Sequence, residues 1–473
     1  MHRVTAILLL LTGLGCFASE PPKYSHASYF EHYEGTKTCL GCHEKEASTF
    51  LHSQHYQWLG DAPNIVNAKG RKLGKMNTVN DFCTNPKANW IGIVRNSRGE
   101  VITKGCSACH AGLGKLPSEQ VSQEQLENID CLMCHASGYR RDLYPNGKGG
   151  FEWKPILWQN EAGLDSVAKR ISLPTRLMCL RCHSSSGGGP NYKRGDLEYK
   201  LNDPDRDYDV HMASAGKNMQ CITCHAGQDH RVRGRGTDLS GTDSPGSPLS
   251  CETRECHGTA PHKATVLNIH TARVNCTVCH IPEFARDEPT DMYRDWSHVV
   301  YNAEADKYSA DIKLVKNVQP VYAWFDGNTR EQLLGESVKR LPDGTVGMMI
   351  PQGSHKDPNA RIYAFKLHRA KLPMLDGRNW IIPIVVEDVF PSGKIDDAVK
   401  LAAKDTYGVD DAKYTWVETS RYMGIFHGVQ PKEKALGCLD CHAPGGRMDW
   451  KALGYKEDPL VELISSHSKK GLM

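Results

Sequence analysis

The sequence predicts a mainly α fold with much irregular loop, in which side chains alone do not make the core. Three observations lead there. Only 39% of the 473 residues are hydrophobic, thin for a chain long enough for two or three ordinary domains. Cysteine and histidine are abundant, at 18 and 22 residues. Most of the cysteines also recur in one pattern, Cys-x-x-Cys-His. Seven copies stand in the chain: Cys39/Cys42/His43, Cys106/Cys109/His110, Cys131/Cys134/His135, Cys179/Cys182/His183, Cys221/Cys224/His225, Cys276/Cys279/His280 and Cys438/Cys441/His442.

This spacing signals covalent attachment of haem c. Two thioethers anchor the macrocycle, and the adjacent histidine lies beneath it as proximal iron ligand. Chance placement would give far fewer than one such motif. Disulfides would not need the histidine, and neither would zinc sites built from paired Cys-x-x-Cys units. Cys251-Glu-Thr-Arg-Glu-Cys256-His257 keeps the Cys-His pair behind a longer loop, and its place in the series makes it an eighth site. Eight haems with their iron would supply the buried apolar surface that the side chains lack.

The elements follow in order along the chain. Residues 1–18 read as a signal peptide: His2 and Arg3, an apolar run from Val4 to Leu11, then Cys16-Phe17-Ala18 before Ser19 as cleavage site. The run is shorter than the roughly 20 residues of a membrane span. A lipid anchor at Cys16 is the weaker reading, because Gly13-Leu14-Gly15 is a poor lipobox. The expected location is the periplasm, with no transmembrane span. Residues 19–473 form one octahaem cytochrome c domain. Its first part, 19–280, carries seven haem sites, too close together for each to own a domain, which suggests an electron wire.

Residues 281–437 are expected to be a haem-free elaboration covering the array. Within it, Ser392 to Tyr407 reads as a helix with Ser392 as N-cap and Gly408 as stop, and Trp380 to Val386 as a short extended run broken by Pro383. Residues 438–473 hold the eighth site and a tail. Ser184–Gly195 and Gly234–Pro248 are loops rich in glycine and other turn residues. The formal net charge is +3 without a basic run, which excludes a nucleic-acid partner.

A six-coordinate haem needs a distal ligand, most often a second imidazole. Position favours His55, His211, His230, His262, His270, His368 and His427, with His52, His298 and His355 as rivals.

Several stretches outside the bare motifs carry a resemblance. They are Asn80-Asp-Phe-Cys83, Asn128-Ile-Asp-Cys-Leu-Met-Cys-His135, Gly187-Gly-Gly-Pro-Asn-Tyr-Lys-Arg-Gly-Asp-Leu197, Asp209-Val-His-Met212, Cys276-Thr-Val-Cys-His-Ile-Pro282, Phe365-Lys-Leu-His-Arg369 and Asp449-Trp-Lys-Ala-Leu-Gly-Tyr455. In these the chain resembles, nearly end to end, the octahaem tetrathionate reductase family of c-type cytochromes. The resemblance implies seven bis-histidine haems and one haem whose distal ligand is a lysine amine beside a substrate pocket. By position it makes Lys193 that lysine, His110 the proximal ligand of the catalytic haem and Cys83 a pocket cysteine. The chain departs from the family in the Cys-x4-Cys-His spacing and in Lys193-Arg194, where Lys-His is expected.

A lysine binds iron only as the neutral amine, so its site must lower the lysine pKa. Such a ligand is displaceable, and its iron could take a substrate. The expected function is reduction of a small inorganic substrate (tetrathionate, nitrite or hydroxylamine), with a membrane or periplasmic electron donor such as a quinol oxidase-linked cytochrome. The alternative is a non-catalytic conduit. Pentahaem nitrite reductases are excluded by the absence of a Cys-x-x-Cys-Lys motif. A hydroxylamine oxidase is a weaker third option, because nothing in the sequence marks a haem–tyrosine link.

Overall fold

The computed structural model describes residues 23–82, 90–103, 105–157, 163–234 and 249–470. The signal-peptide reading, Cys16, Cys83 and most of the Gly234–Pro248 loop lie outside them.

The mainly α expectation is wrong: strand accounts for 25% of the chain and helix for 24%. The strand is concentrated in one mixed sheet of eight strands between Thr290 and Gly424. Across it run Lys307–Val315, Thr290–Asn302, Arg361–Leu375, Tyr414–Gly424, Val346–Pro351 and Thr329–Glu331. Val321–Phe325 and Trp380–Ile381 pair with opposite ends of the central strand Arg361–Leu375. That strand runs antiparallel to Tyr414–Gly424, from Phe365 opposite Gly424 to Leu375 opposite Tyr414. It runs parallel to Thr290–Asn302, with Arg294 opposite Ala370.

The reason the sheet is hard to read lies in its centre. In the central strand Lys366, His368 and Ala370 fall on one face, because successive side chains alternate. All three are buried. Polar residues at alternate positions suggest a solvated face, yet here they are inside because charged partners from distant segments meet them.

The rest of that face is apolar. Ala370, Leu372 and Met374 pack with Trp296, Ala310 and Val417 against two helices, Val386–Ser392 and Ile395–Tyr407. The second helix buries Ala398, Val399, Ala402 and Ala403 and stops at Gly408 in the left-handed region, as glycine permits. Its start differs from expectation. Ser392 ends the preceding helix, Gly393 turns the chain, and the new helix begins at Ile395. The extended run at Trp380 stops after Ile381, and Val386 already opens a helix.

Residues 23–280 contain little regular structure beyond the helix Thr36–Leu51, two- and three-residue strand pairs, the hairpin Tyr139–Pro145/Phe151–Leu157 and short helices, several of them at the cysteines. None of the described helices is long and apolar enough to cross a membrane.

Candidate haem array

Each Cys-x-x-Cys unit sits on a helical turn or its start, for example Cys221–Cys224, Cys276–His280 and Cys438–His442. Residues three apart share one helix face, so both sulfurs project to one side. The turn is closed by the motif histidine: His135 N donates to the Cys131 carbonyl at 3.1 Å and His225 N to that of Cys221 at 2.8 Å. The longer Cys251 site closes in the same way, with His257 N donating to the Cys251 carbonyl at 3.3 Å, while the extra residues fold into a separate turn through Cys256 N and the Thr253 carbonyl. The additional spacing is looped out, and the Cys-His end is kept.

The motif histidines do not stand alone. Seven of them face a second imidazole: His43 with His26 at 6.2 Å between ring centres, His135 with His230 at 6.5 Å, His183 with His55 at 6.1 Å and His225 with His427 at 6.1 Å. His257 faces His211 at 5.9 Å, His280 faces His262 at 6.1 Å and His442 faces His270 at 6.2 Å. Two imidazoles on opposite sides of one metal, each nitrogen about 2 Å from it, bring their ring centres to about 6 Å. The space between them is real. One continuous cavity of about 3700 Å³ is lined by the cysteines and histidines of the first six motifs to His257, with His26, His55, His211, His230, His427 and Lys193. A single small-molecule pocket holds about 300–1,000 Å³, so this cavity suits several macrocycles. The residues fit haem c.

His368 is the exception among the expected ligands. It lies at no motif histidine: Nδ1 is 2.6 Å from Asp81 and Nε2 is 3.3 Å from Asp291. Both nitrogens are therefore already engaged. His26, thirteen residues before Cys39, completes the seventh pair. Sequence reasoning missed it, and nothing in Tyr24-Ser-His-Ala-Ser28 marks it. The rivals are elsewhere: His298 sits beside Asp311 on the surface and His355 packs on Tyr455, while His52 is exposed.

The motifs touch through their cysteines, which orders the array. Cys39 meets Cys131, Cys179 meets Cys221 and Cys251 meets Cys276. Cys134 lies near Cys179, Cys224 near Cys256, and Cys279 near Cys441. The line runs from the first motif through the third, fourth, fifth, sixth and seventh to the last. The second motif is a spur, joined to the fourth where Cys109 meets Cys182.

That spur is also the odd one in ligation. The His110 ring packs against Trp90, 5.4 Å between centres, with no second histidine paired to it among the described residues. Burial and the neighbouring His55 hold His110 down to about 4, and the same two causes hold His183 down to about 3. Both rings open onto the cavity yet lie deep in the chain, and they stay neutral, as iron ligation requires. Arg141 fixes the turn that carries His110. Its guanidinium donates to the carbonyls of Ser107 at 2.7 Å, His110 at 3.0 Å and Gly112 at 2.6 Å, and pairs with Asp130 at 3.1 Å.

Lys193 lines the same cavity as His110 and is 7% exposed. Its loop is held from the sheet. Arg294 donates one nitrogen to the Phe82 carbonyl and another to that of Gly187, both at 2.8 Å, while its remaining donors pair with Asp291. One side chain thus ties the segment leading to Cys83 to the loop carrying Lys193. Gly187, at φ 92°, is needed at this junction: a Cβ there would lie 3.0 Å from that of Lys193 and 3.2 Å from Phe82. Lys366 Nζ donates to the Tyr192 carbonyl at 2.7 Å, the Lys193 carbonyl at 3.0 Å and Thr290 Oγ1 at 2.6 Å. Burial nevertheless lowers its pKa to about 7. Asp81, clamped by Arg421 at 2.5 Å and hydrogen-bonded to His368, stays ionised although buried, because the Arg421 guanidinium and the His368 bond hold its pKa well below the usual carboxylate range.

An array of Cys-His attachment turns around shared cofactor space, with imidazoles paired across it, defines a multihaem c-type cytochrome. The comparisons agree. The family described as Cytochrome c bacterial matches residues 287–445, which include the sheet and the last motif. The crystal structure of octaheme cytochrome c from Shewanella oneidensis is similar over 90% of this chain and 94% of that one, with a TM-score of 0.70 and 29% identity. An uncharacterized protein of Archaeoglobus fulgidus is 32% identical over 251 residues, 46% of this chain and 81% of that protein. The chain belongs to one family with that protein and is a c-type cytochrome carrying covalently bound haem.

Proposed function

We infer that the protein is a periplasmic octahaem cytochrome that reduces a small inorganic substrate at the His110 site, with Lys193 as displaceable distal ligand and seven bis-histidine haems relaying electrons. Tetrathionate, nitrite and hydroxylamine are the substrates implied by the resemblance to octahaem tetrathionate reductases. One observation carries the reading: seven motif histidines face a second histidine, whereas His110 faces Trp90 and shares its cavity with Lys193. The octahaem relative, similar over nearly its full length, supports the count of eight.

Bound haem supplies the electrons and the iron on which they are delivered. The chain supplies the rest. Arg194 and Arg294 line the cavity with Lys193, each beside a carboxylate of its own, Asp196 and Asp291. Trp58 and Phe82 line it as well and keep water out. Arg294 and Lys366 hold the backbone from which Lys193 reaches in. Cys83, directly after Phe82, is the residue suited to exchange with a sulfur chain.

The test is Lys193→Ala on the haem-loaded protein, read by magnetic circular dichroism and electron paramagnetic resonance. One low-spin species should become high-spin and open to added ligands, and viologen-driven turnover should fall. An unchanged spectrum would remove the lysine. A wild-type protein that exchanges electrons quickly but reduces none of the three substrates would be a conduit. Intact mass should equal the mature chain plus eight haems.

A further inference from the structure

A paired imidazole that held haem iron through Nε2 would carry its proton on Nδ1, and what Nδ1 meets differs along the array. His135 donates to the Ser172 carbonyl at 2.9 Å, His225 to that of Arg233 at 2.8 Å and His270 to that of Val266 at 2.8 Å. His230 meets Thr49 Oγ1 at 3.1 Å and His262 meets Asn268 Oδ1 at 3.3 Å. All of these partners are neutral.

Two of the paired imidazoles instead meet a carboxylate among the described residues: His427 with Asp196 at 3.0 Å and His442 with Asp458 at 2.7 Å. A carboxylate there makes the imidazole a more basic ligand and sets negative charge near the iron. Both effects favour the ferric state and lower the reduction potential.

The two carboxylates are not equal. The Asp196 oxygen bonded to His427 also accepts the amides of Phe426 and His427, and its other oxygen lies 3.4 Å from the Arg194 guanidinium. Its charge is spread over several donors. The Asp458 oxygen on His442 accepts one further bond, from Leu460 N at 2.9 Å, and no lysine or arginine is paired with it among the described residues.

The opposite end of the array lacks such a bond. Glu46 stands 3.8 Å from His43, beyond hydrogen-bond length, and the buried His26 Nδ1 has no partner among the described residues.

We propose that the Asp458–His442 hydrogen bond gives the last motif the lowest-potential haem of the array and makes that end the intake for electrons. A reduced one-electron donor, a c-type cytochrome, loses one electron there as ferric iron becomes ferrous. The electron would then pass through the seventh, sixth, fifth and fourth motifs to the spur at His110, whose turn Arg141 holds. The direction of flow rests on the reductase reading; the ranking of potentials does not.

The experiment is a redox titration of the haem-loaded Asp458→Asn variant, followed by visible and paramagnetic resonance spectra. Asparagine keeps an acceptor for Leu460 N, so the cap of the C-terminal helix survives, while the charge is removed. The lowest-potential component should rise, with about a tenfold change in its oxidised-to-reduced ratio at the wild-type midpoint, or 59 mV for one electron. Asp458→Glu should recover most of the shift, and the Lys193-dependent signal should not move. A lowest component that stays in place overturns the proposal even if substrates are reduced. A shift as expected in a protein that reduces nothing would keep the ranking and sink the reductase reading.

Discussion

Helix Ile395–Tyr407 buries Ala398, Val399, Ala402 and Ala403 against the sheet, whereas the longer helix Thr36–Leu51 buries only Thr36, Ala47 and Leu51. The two helices stand for two halves of the molecule. Around the sheet, 22 buried apolar residues form one contiguous cluster. Among residues 23–280 the clusters are small, such as Ala47, Leu51, Tyr56, Leu126 and Ile129, and the space between them is the cavity. The sheet half carries its own core, and the motif half borrows one from the macrocycles. The border between them is charged: Arg294, Lys366, His368 and Arg421 reach from the strands to Asp81, Phe82 and the Gly187 loop. A segment that looks like a covering over the array thus holds the pocket in register.

The largest test of this contrast is to withhold haem. Protein made without haem attachment should lose the fold of residues 23–280 while the sheet stays protected. Limited proteolysis or hydrogen exchange should show cleavage or rapid exchange up to about residue 280 and slow exchange from Thr290 to Gly424. Equal protection of both halves would end the comparison.

A smaller effect probes the core that the sheet half supplies for itself. Trp296, 1% exposed, packs in the main cluster and donates to the Asp81 carbonyl at 3.0 Å. Trp296→Ala should cost about 3–5 kcal/mol in denaturant unfolding of the haem-loaded protein. A cost near zero would mean that haem binding dominates both halves.

The smallest effect is at the border and depends on pH. Lys366 has a folded pKa of about 7 against a usual 10.5. In the unfolded chain it keeps its proton to higher pH, so the unfolded state binds more protons between those values. Stability therefore rises with pH from about 7 to 10.5, by at most about 1.4 kcal/mol per pH unit from this group. Lys366→Met should flatten that rise, as measured by chemical denaturation across the range. A slope unchanged by the substitution would show that Lys366 keeps its proton when buried.

The attachment chemistry was legible because it is local. Two cysteines, a short spacing and a histidine identify each site with no knowledge of the fold, and even the longer Cys251–His257 site shows itself by its order in the series. Six of the distal partners could be proposed from position, since a histidine near a motif has few other places to go. His26 and His368 show where that reasoning ends: one sits in an unmarked stretch, and the other lies in a stretch that looks like a ligand site but is claimed by Asp81, 287 residues away in sequence. The central strand went unread for the same reason, since Lys366 and His368 are buried only because distant segments supply their partners.

The sequence by itself determined what can bond to what: the cysteines spaced to carry haem, the histidine beside each pair and the order of the motifs along the chain. Only the tertiary structure decided which imidazole faces which, which motif is the spur, and why charged side chains from the sheet are buried beside it. Covalent attachment needs only a few neighbouring residues, whereas a hydrogen bond or ion pair between distant segments exists only once the chain has folded to bring them within reach.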